Sequence, residues 1–146
     1  LMEAGIDIGL LNKKFFSDVS RMKFELMRLA LSHVEFHFGG AVALSRLTGE
    51  DLREAGAQRE DAENRINIWQ AVDSVRVAIL LKSFEPDKVH VSFRSDATFD
   101  SAAFLRRFGG GGHAPAAGAT LEMPLEDARE SILTALGGHK SFLKSS

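Results

Sequence analysis

Apolar and polar positions along this 146-residue chain repeat with two periods, and the changes of period mark its elements. Within 18–34, Val19, Met22, Leu26, Leu29 and Ala30 recur at three-four spacing, the face of one helix. Phe24, Met27 and Leu31 form a second stripe, which predicts two packing neighbours for this helix. Ser17 or Asp18 is placed to cap its first turn. An apolar run entered through Gly39 and Gly40 and ending at Thr48 predicts a strand. Thr48 and Asp51 have the spacing of a capping box for a short helix over 49–56. Over 59–72, Glu60, Asp61 and Glu63 occupy the first turns of a further helix, where carboxylates favour the helix dipole, and Ala62, Ile66 and Trp69 form its buried face.

The period then shortens. Residues 75–82 are nearly continuous in apolar side chains, as in a strand covered on both faces. Residues 88–95 alternate strictly, with Val89, Val91 and Phe93 on one side and His90, Ser92 and Arg94 on the other. Turn residues between the two predict a hairpin-like connection. Asp100 caps a short helix stapled by Phe99 and Phe104, and the glycines from 109 to 112 stop it. A strand over 116–123 and a closing helix follow, with Pro124 at its first position and Gly137 past its end. The order helix, strand, two helices, two strands, helix, strand, helix predicts an α/β fold. It implies a mixed β-sheet of about four to five strands flanked by helices, with an N-terminal connector helix.

Composition narrows the class. With 45% apolar and 26% charged residues the chain reads as a globular domain. A net charge of −2 excludes non-specific coating of nucleic acid, so any phosphate recognition must be local. The absence of cysteine excludes disulfides and thiolate metal sites and fits a cytoplasmic location. No stretch has the apolar length of a membrane span. The chain opens in mid-pattern, with Met second, and reads as a piece of a longer protein.

Four consecutive glycines, 109 to 112, exceed the single left-handed residue that a helix end requires. Each costs ~1 kcal/mol against alanine within an ordered element. The run is therefore either a slack connector or an ordered surface whose N–H groups approach an anion. It is not a Walker loop, because no Lys-Ser/Thr follows. His113 directly after it can donate to a phosphate oxygen. Arg94, with Ser92 and His90 on the same strand face, presents either a solvated surface or a second phosphate contact. His33 and His37 stand four apart, but Val34 occupies the place of the zincin glutamate, so this stretch reads as a helix end. No Asp/His cluster is spaced for a metal pair and no nucleophile elbow occurs.

The stretch from His90 to Asp96 followed by "FGGGGHAPAAG" resembles the C-terminal DHH-associated domain of the DHH phosphoesterase superfamily. The matching residues are Ser92, Arg94 and Ser95 of a Ser-x-Arg-Ser strand, Gly110, Gly111, Gly112 and His113 of a GGGH motif, and Ala116, Ala117 and Gly118 after it. Residues 47–69 resemble the start of this domain in the nanoRNase and 3′-phosphoadenosine 5′-phosphate (pAp) phosphatase branch, the NrnA type. Residues 1–16 are similar to the end of a preceding catalytic domain and its connector. The resemblance divides the chain into 1–38 (end of the catalytic domain and connector helix), 39–138 (the DHH-associated substrate-binding domain) and 139–146 (a tail).

It implies a two-domain hydrolase whose missing N-terminal half binds two manganese ions and supplies catalysis, with no catalytic or metal-binding residue in this chain. It further implies that Arg94 and Ser95 hold substrate phosphate or base. Ser92, Gly110, Gly111, Gly112, His113, Ala117 and Gly118 complete the binding set. The implied partners are short RNA or DNA oligonucleotides or pAp, the DHH domain in cis, and a second copy in a homodimer. Related domains serve as non-catalytic nucleic-acid or self-association modules in alanyl-tRNA synthetases. They also occur in cyclic-dinucleotide phosphodiesterases, RecJ-type exonucleases and exopolyphosphatase-related proteins, and all of these remain alternatives. Asp96 stands where many relatives are basic, which favours short substrates over long polyanions.

Overall fold

The computed structural model describes residues 20–62 and 66–139. Helix α1 (Arg21–Ser32) is followed by strands β1 (Glu35–His37) and β2 (Val42–Thr48), helix α2 (Gly49–Ala55), a 3-10 turn (Arg59–Asp61) and helix α3 (Asn67–Gln70). Strands β3 (Val77–Glu85) and β4 (Lys88–Ser95) come next, then helix α4 (Ser101–Leu105), which runs into a second 3-10 turn (Arg106–Phe108). Strands β5 (Gly111–His113) and β6 (Ala116–Leu121) and helix α5 (Leu125–Leu136) close the described chain. The strands form one mixed sheet in the order β1-β2-β3-β4-β6-β5. Only β2 and β3 run parallel, joined by the crossover through α2 and α3; every other neighbouring pair is antiparallel.

The predicted α/β class holds, with six strands rather than four to five. The two additional strands, β1 and β5, are three-residue edges, too short for a period-two pattern to register. The stretch around His37 that reads as a helix end is therefore only half so: His33 caps α1, and Glu35–His37 are extended.

Strand β3 is central, and its apolar run explains itself by burial on both sides. Val77, Ile79 and Leu81 face one cluster with Phe93, Phe104, Leu105, Ile132 and Leu136 beneath α4 and α5. Ala78 and Leu80 face another with Leu26, Leu29, Ala30, Ile66 and Trp69 beneath α1 and α3. The Ser45 hydroxyl donates to Ala30 O at 2.5 Å, tying α1 to β2 at the point of contact.

Local signals are realised where side chains settle backbone ends. Thr48 and Asp51 form the capping box: Thr48 N donates to Asp51 Oδ2 at 2.8 Å and Asp51 N to Thr48 Oγ1 at 3.3 Å. Asp100 caps α4 by accepting from Ala103 N at 3.0 Å, and the Phe99 and Phe104 rings pack with centroids 5.6 Å apart. The β3–β4 hairpin turns on Pro86 and Asp87, the latter at φ +55°.

Other expectations need correction. Helix α1 is capped by Ser20, which accepts from Lys23 N at 3.1 Å; Ser17, Asp18 and Val19 lie outside the described residues. Of its second stripe, Phe24 and Leu31 are exposed at 54% and 41% while Met27 is partly buried, and the helix packs against β2 and α2. Met22, placed on the buried face by spacing, is also exposed. The helix expected over 59–72 is reduced to the 3-10 turn and α3, although Ala62, Ile66 and Trp69 are buried as the spacing requires; Glu63 is outside the described residues. Pro124 is the N-cap of α5 rather than its first residue.

Edge strand β1 is fastened to α5 by a bidentate pair. Arg129 Nε donates to both oxygens of Glu35 at 3.1 Å, and Nη2 to Oε1 at 2.7 Å. These bonds hold the Glu35 carboxyl below the usual carboxylate range. A depressed carboxylate stabilises the fold above its unfolded pKa, and that contribution is lost as pH falls through the lowered folded value. Replacing Arg129 by alanine is expected to cost about 1–2 kcal/mol of unfolding free energy at neutral pH. Urea titrations at stepped pH should show parent and variant converging once Glu35 protonates. A gap that persists in acid would mean that packing, not the ion pair, carries the effect.

Candidate functional site

The helices cover only half of one sheet face. Helices α1 and α3 lie over β2 and β3, and only α3 reaches as far as β4. Among the described residues, no helix covers the rest of that face, on β4, β6 and β5. This is why β4 alternates so strictly: its other side packs on α4 and α5 while this side meets solvent.

Cross-strand register arranges the open face in three rungs. Arg94 pairs with Ala116, which pairs with His113. Ser92 pairs with Gly118, which pairs with Gly111. His90 pairs with Thr120 on one side and with Lys82 of β3 on the other. Directly paired residues share a face, so these side chains stand on one surface. Arg94 and His113 lie two strand spacings apart, about 10 Å.

The glycine run is ordered, and its members have different reasons. Gly109, at φ +79°, ends the 3-10 turn in the left-handed region. A Cβ on Gly110 would lie 2.3 Å from Gly118 O and 2.6 Å from Ala119 Cβ, so backbone packing excludes any side chain there. Gly112 combines φ +141° with a Cβ position 2.7 Å from Ala117 Cα. A Cβ on Gly111, as on Gly109, would meet nothing within 4 Å, but Gly111 has no positive φ, and its register places it on the open face.

Ser95 turns to the opposite side and is 3% exposed. Its Oγ meets Ser101 Oγ at 2.7 Å, Phe99 O at 2.9 Å and Ala114 O at 3.1 Å. With Ser95 N on Pro115 O at 3.0 Å and Ser101 N on Ala114 O at 2.7 Å, it pins the tip of the β5–β6 hairpin to the end of β4. The sequence-level binding set is therefore split. Arg94, Ser92, Gly111, His113 and Gly118 share the open face, Ser95 and Ala117 are buried on the other, and Gly110 and Gly112 serve backbone closeness.

The open face is cationic and its cations are uncompensated. Arg94 Nη1 donates to Phe93 O at 3.0 Å, and among the described residues neither Arg94 nor Lys82 forms an ion pair. Burial, then the charge of Arg94, holds the Lys82 ammonium below the usual lysine range. His90 Nδ1 lies 3.1 Å from Thr120 Oγ1. Lys82 and Thr120 escape a reading by motif: Lys82 ends an apolar run and looks like a solvated strand terminus until the register sets it beside His90. Asp96 spends its carboxylate on the following turn, accepting from Thr98 N at 2.9 Å. A shallow pocket of about 550 Å³ lies beyond it, between 95–100 and the hairpin tip.

Among the described residues no three His, Cys, Asp or Glu side chains converge to hold a metal ion. His33 and His37 have carboxylate neighbours instead, Asp51 at 3.5 Å and Glu35 at 2.8 Å. The described residues thus do not fit a manganese centre. No helix among them is long and apolar enough to cross a membrane.

Comparison with known proteins gives the family. The family model described as the DHHA1 domain matches residues 39–138. Over 114 residues the chain is 38% identical to the bifunctional oligoribonuclease and PAP phosphatase NrnA of Thermus thermophilus, a match covering 77% of this chain and 33% of that protein. The structure of an exopolyphosphatase-related protein from Bacteroides fragilis superposes with a TM-score of 0.81 at 26% identity, over 98% of this chain and 42% of the other. The pGpG-specific phosphodiesterase PggH of Vibrio cholerae shares the fold, with a TM-score of 0.54 at 17% identity over 80% of this chain and 39% of that one. The chain thus spans well under half the length of each of these relatives. By the family model over 39–138 and the 38% identity over 77% of its length, the chain belongs to the DHHA1 family, the domain associated with DHH phosphoesterases.

Proposed function

We propose that this domain is the substrate-gripping half of a metal-dependent phosphoesterase acting on short oligonucleotides, pAp or both. The observation that carries the reading is the first two rungs of the open face. They set an unpaired arginine, a histidine and a glycine with free space above it around small neighbours. Arg94 supplies a forked donor suited to a phosphate, His113 a second donor from the far side, and Gly111 a backbone that a phosphate can approach without a Cβ between. The named activities of the Thermus and Vibrio relatives are on phosphorylated nucleotides, which suits this chemistry. Catalysis is assigned to a metal-holding domain outside this chain, where metal ions would activate water and stabilise phosphoryl charge. Ser95 and Ser101 act as positioning residues that hold the hairpin in place.

Titration calorimetry with pAp, a 5′-phosphorylated diadenylate and pGpG tests the site. Arg94→Ala and His113→Ala are each expected to weaken binding about tenfold or more. Variants that bind all three probes like the parent would falsify the assignment and leave a non-catalytic association module as the better reading. With manganese added, the chain alone is expected to leave pAp and diadenylate intact; turnover by the pure chain would place catalysis within it.

The glycines separate structure from binding. Gly110→Ala is expected to destabilise by roughly 2–4 kcal/mol, because backbone must shift to admit the methyl. Gly111→Ala should leave the unfolding midpoint nearly unchanged while weakening pAp binding. If Gly111→Ala binds normally, the free space above it has no role in recognition.

A further inference from the structure

The third rung is not used by the reading above. Lys82, His90 and Thr120 stand side by side on β3, β4 and β6, on the same open face as Arg94. Lys82 is half-buried, yet among the described residues it has neither hydrogen bond nor ion pair. A desolvated ammonium without a counter-ion is costly unless something else supplies the negative charge. After burial, the charge of Arg94 also holds the Lys82 ammonium below the usual lysine range, so that neighbour adds to the cost rather than offsetting it. The carboxylate that feels the charge of His90 is Glu85, which is already engaged by Arg59 at 2.8 Å and Lys88 at 3.7 Å. His90 and Thr120 hold each other at 3.1 Å, and whichever of them donates in that bond, one N–H or O–H is left beside the ammonium.

Spacing indicates what would fill the place. Along β4, His90 and Arg94 are four residues apart, roughly 13 Å. That exceeds the reach of one nucleotide unit of backbone and is about the reach of two. Between them lie Ser92 and Gly118, small enough to let a chain pass over the sheet.

We infer that Lys82, His90 and Thr120 form a second phosphate subsite, which takes a further backbone phosphate of a single-stranded oligonucleotide whose first phosphate sits at Arg94 and His113. The open face is then a track that measures length. A mononucleotide such as pAp fills the first subsite, whereas an oligonucleotide of three units fills both. The inference rests on the phosphate site of the first two rungs and extends it to a preference for oligonucleotides.

The test is a length series, pAp and 5′-phosphorylated oligoadenylates of two, three and five units, titrated into the 146-residue chain and its variants by calorimetry at several salt concentrations. Lys82→Met keeps the apolar stem, and its thermal unfolding midpoint is checked against the parent. Parent affinity is expected to rise about tenfold from the mononucleotide to the trinucleotide. Lys82→Met and His90→Ala should abolish that rise while leaving pAp affinity unchanged, and Lys82→Arg should restore it. The salt dependence of trinucleotide binding should lose about 0.7 in log-log slope with Lys82→Met.

A loss of equal size for pAp and trinucleotide overturns the second subsite, because Lys82 then acts only through the first. An unchanged length dependence also overturns it and assigns the patch to a carboxylate of a neighbouring domain. Arg94→Ala keeps the two ideas apart: if it abolishes all binding while Lys82→Met changes nothing, only the second subsite fails. A parent chain that binds none of the series overturns both.

Discussion

The site depends on one buried hydroxyl. Ser95 has a single proton and two lone pairs, and three polar groups stand within 3.1 Å of its oxygen. Two of them, Phe99 O and Ala114 O, can only accept, so Ser101 must donate to Ser95 and Ser95 must donate toward the carbonyls. Ala114 O is already satisfied by Ser101 N at 2.7 Å, which leaves the Ser95 proton free to serve Phe99 O. The arrangement therefore closes with no donor or acceptor stranded, in agreement with the lack of unsatisfied buried side-chain polar atoms among the described residues. It joins three segments far apart in sequence: the end of β4, the start of α4 and the tip of the β5–β6 hairpin. Without it, the hairpin would keep its pairing with β4 and the two backbone bonds at its tip, but five of the six residues that pair within the hairpin itself are glycine or alanine, so no other side chain would hold that tip.

That latch changes the meaning of the glycines. A run of four carries an entropic cost when ordered, and the sequence offers no way to tell an ordered run from a slack one. The structure resolves the cost residue by residue. Gly109 and Gly112 take backbone angles that a side chain resists, and Gly110 lies against the carbonyl of Gly118. Gly111 is left as the one glycine that the fold does not require. A residue whose smallness is unexplained by its own surroundings is the natural place to look for a visitor.

The parts of the fold that could be read from sequence are those governed by local rules. The Thr48–Asp51 box, the Phe99–Phe104 staple, the two-sided burial of β3 and the alternation of β4 all depend on neighbours within a few positions, and all are present. What could not be read depends on partners distant in sequence. Strand β1 exists because Phe36 and its neighbours find β2 and because Glu35 finds Arg129, 94 residues away. The second stripe of α1 looks buried by spacing, but Phe24 and Leu31 are exposed. Arg94 and His113 could be picked out by motif, whereas Lys82 could not, since only the register of β3 on β4 puts it beside His90. Ser95, chosen by the same motif as Arg94, lies on the opposite face, because adjacent residues in a strand must part company.

Net charge gives a misleading picture of such a surface. The chain carries an excess of two carboxylates, yet its acids are largely committed elsewhere. Glu25 is bound by Arg28, Glu35 by Arg129 and Glu85 by Arg59, and each of these carboxyls is held below its ordinary range by its partner. Asp51, Asp96 and Asp100 are occupied with helix caps and a turn. Among the described residues none of them forms an ion pair with Arg94 or Lys82 on the open face. Its cations, Lys82 and Arg94, stand on β3 and β4, and His113 stands at the end of β5, while the strand between β4 and β5 offers Ala116 and Gly118, residue types that strands ordinarily avoid. A merely solvated strand face would carry long polar side chains along that middle row and would gain cross-strand pairs from them. Small residues flanked by unpaired cations instead make a trough whose floor is backbone and whose walls are positive. On the proposal made above, that trough takes a flexible chain of phosphates, and a negative overall charge does not oppose this because the field that matters is local.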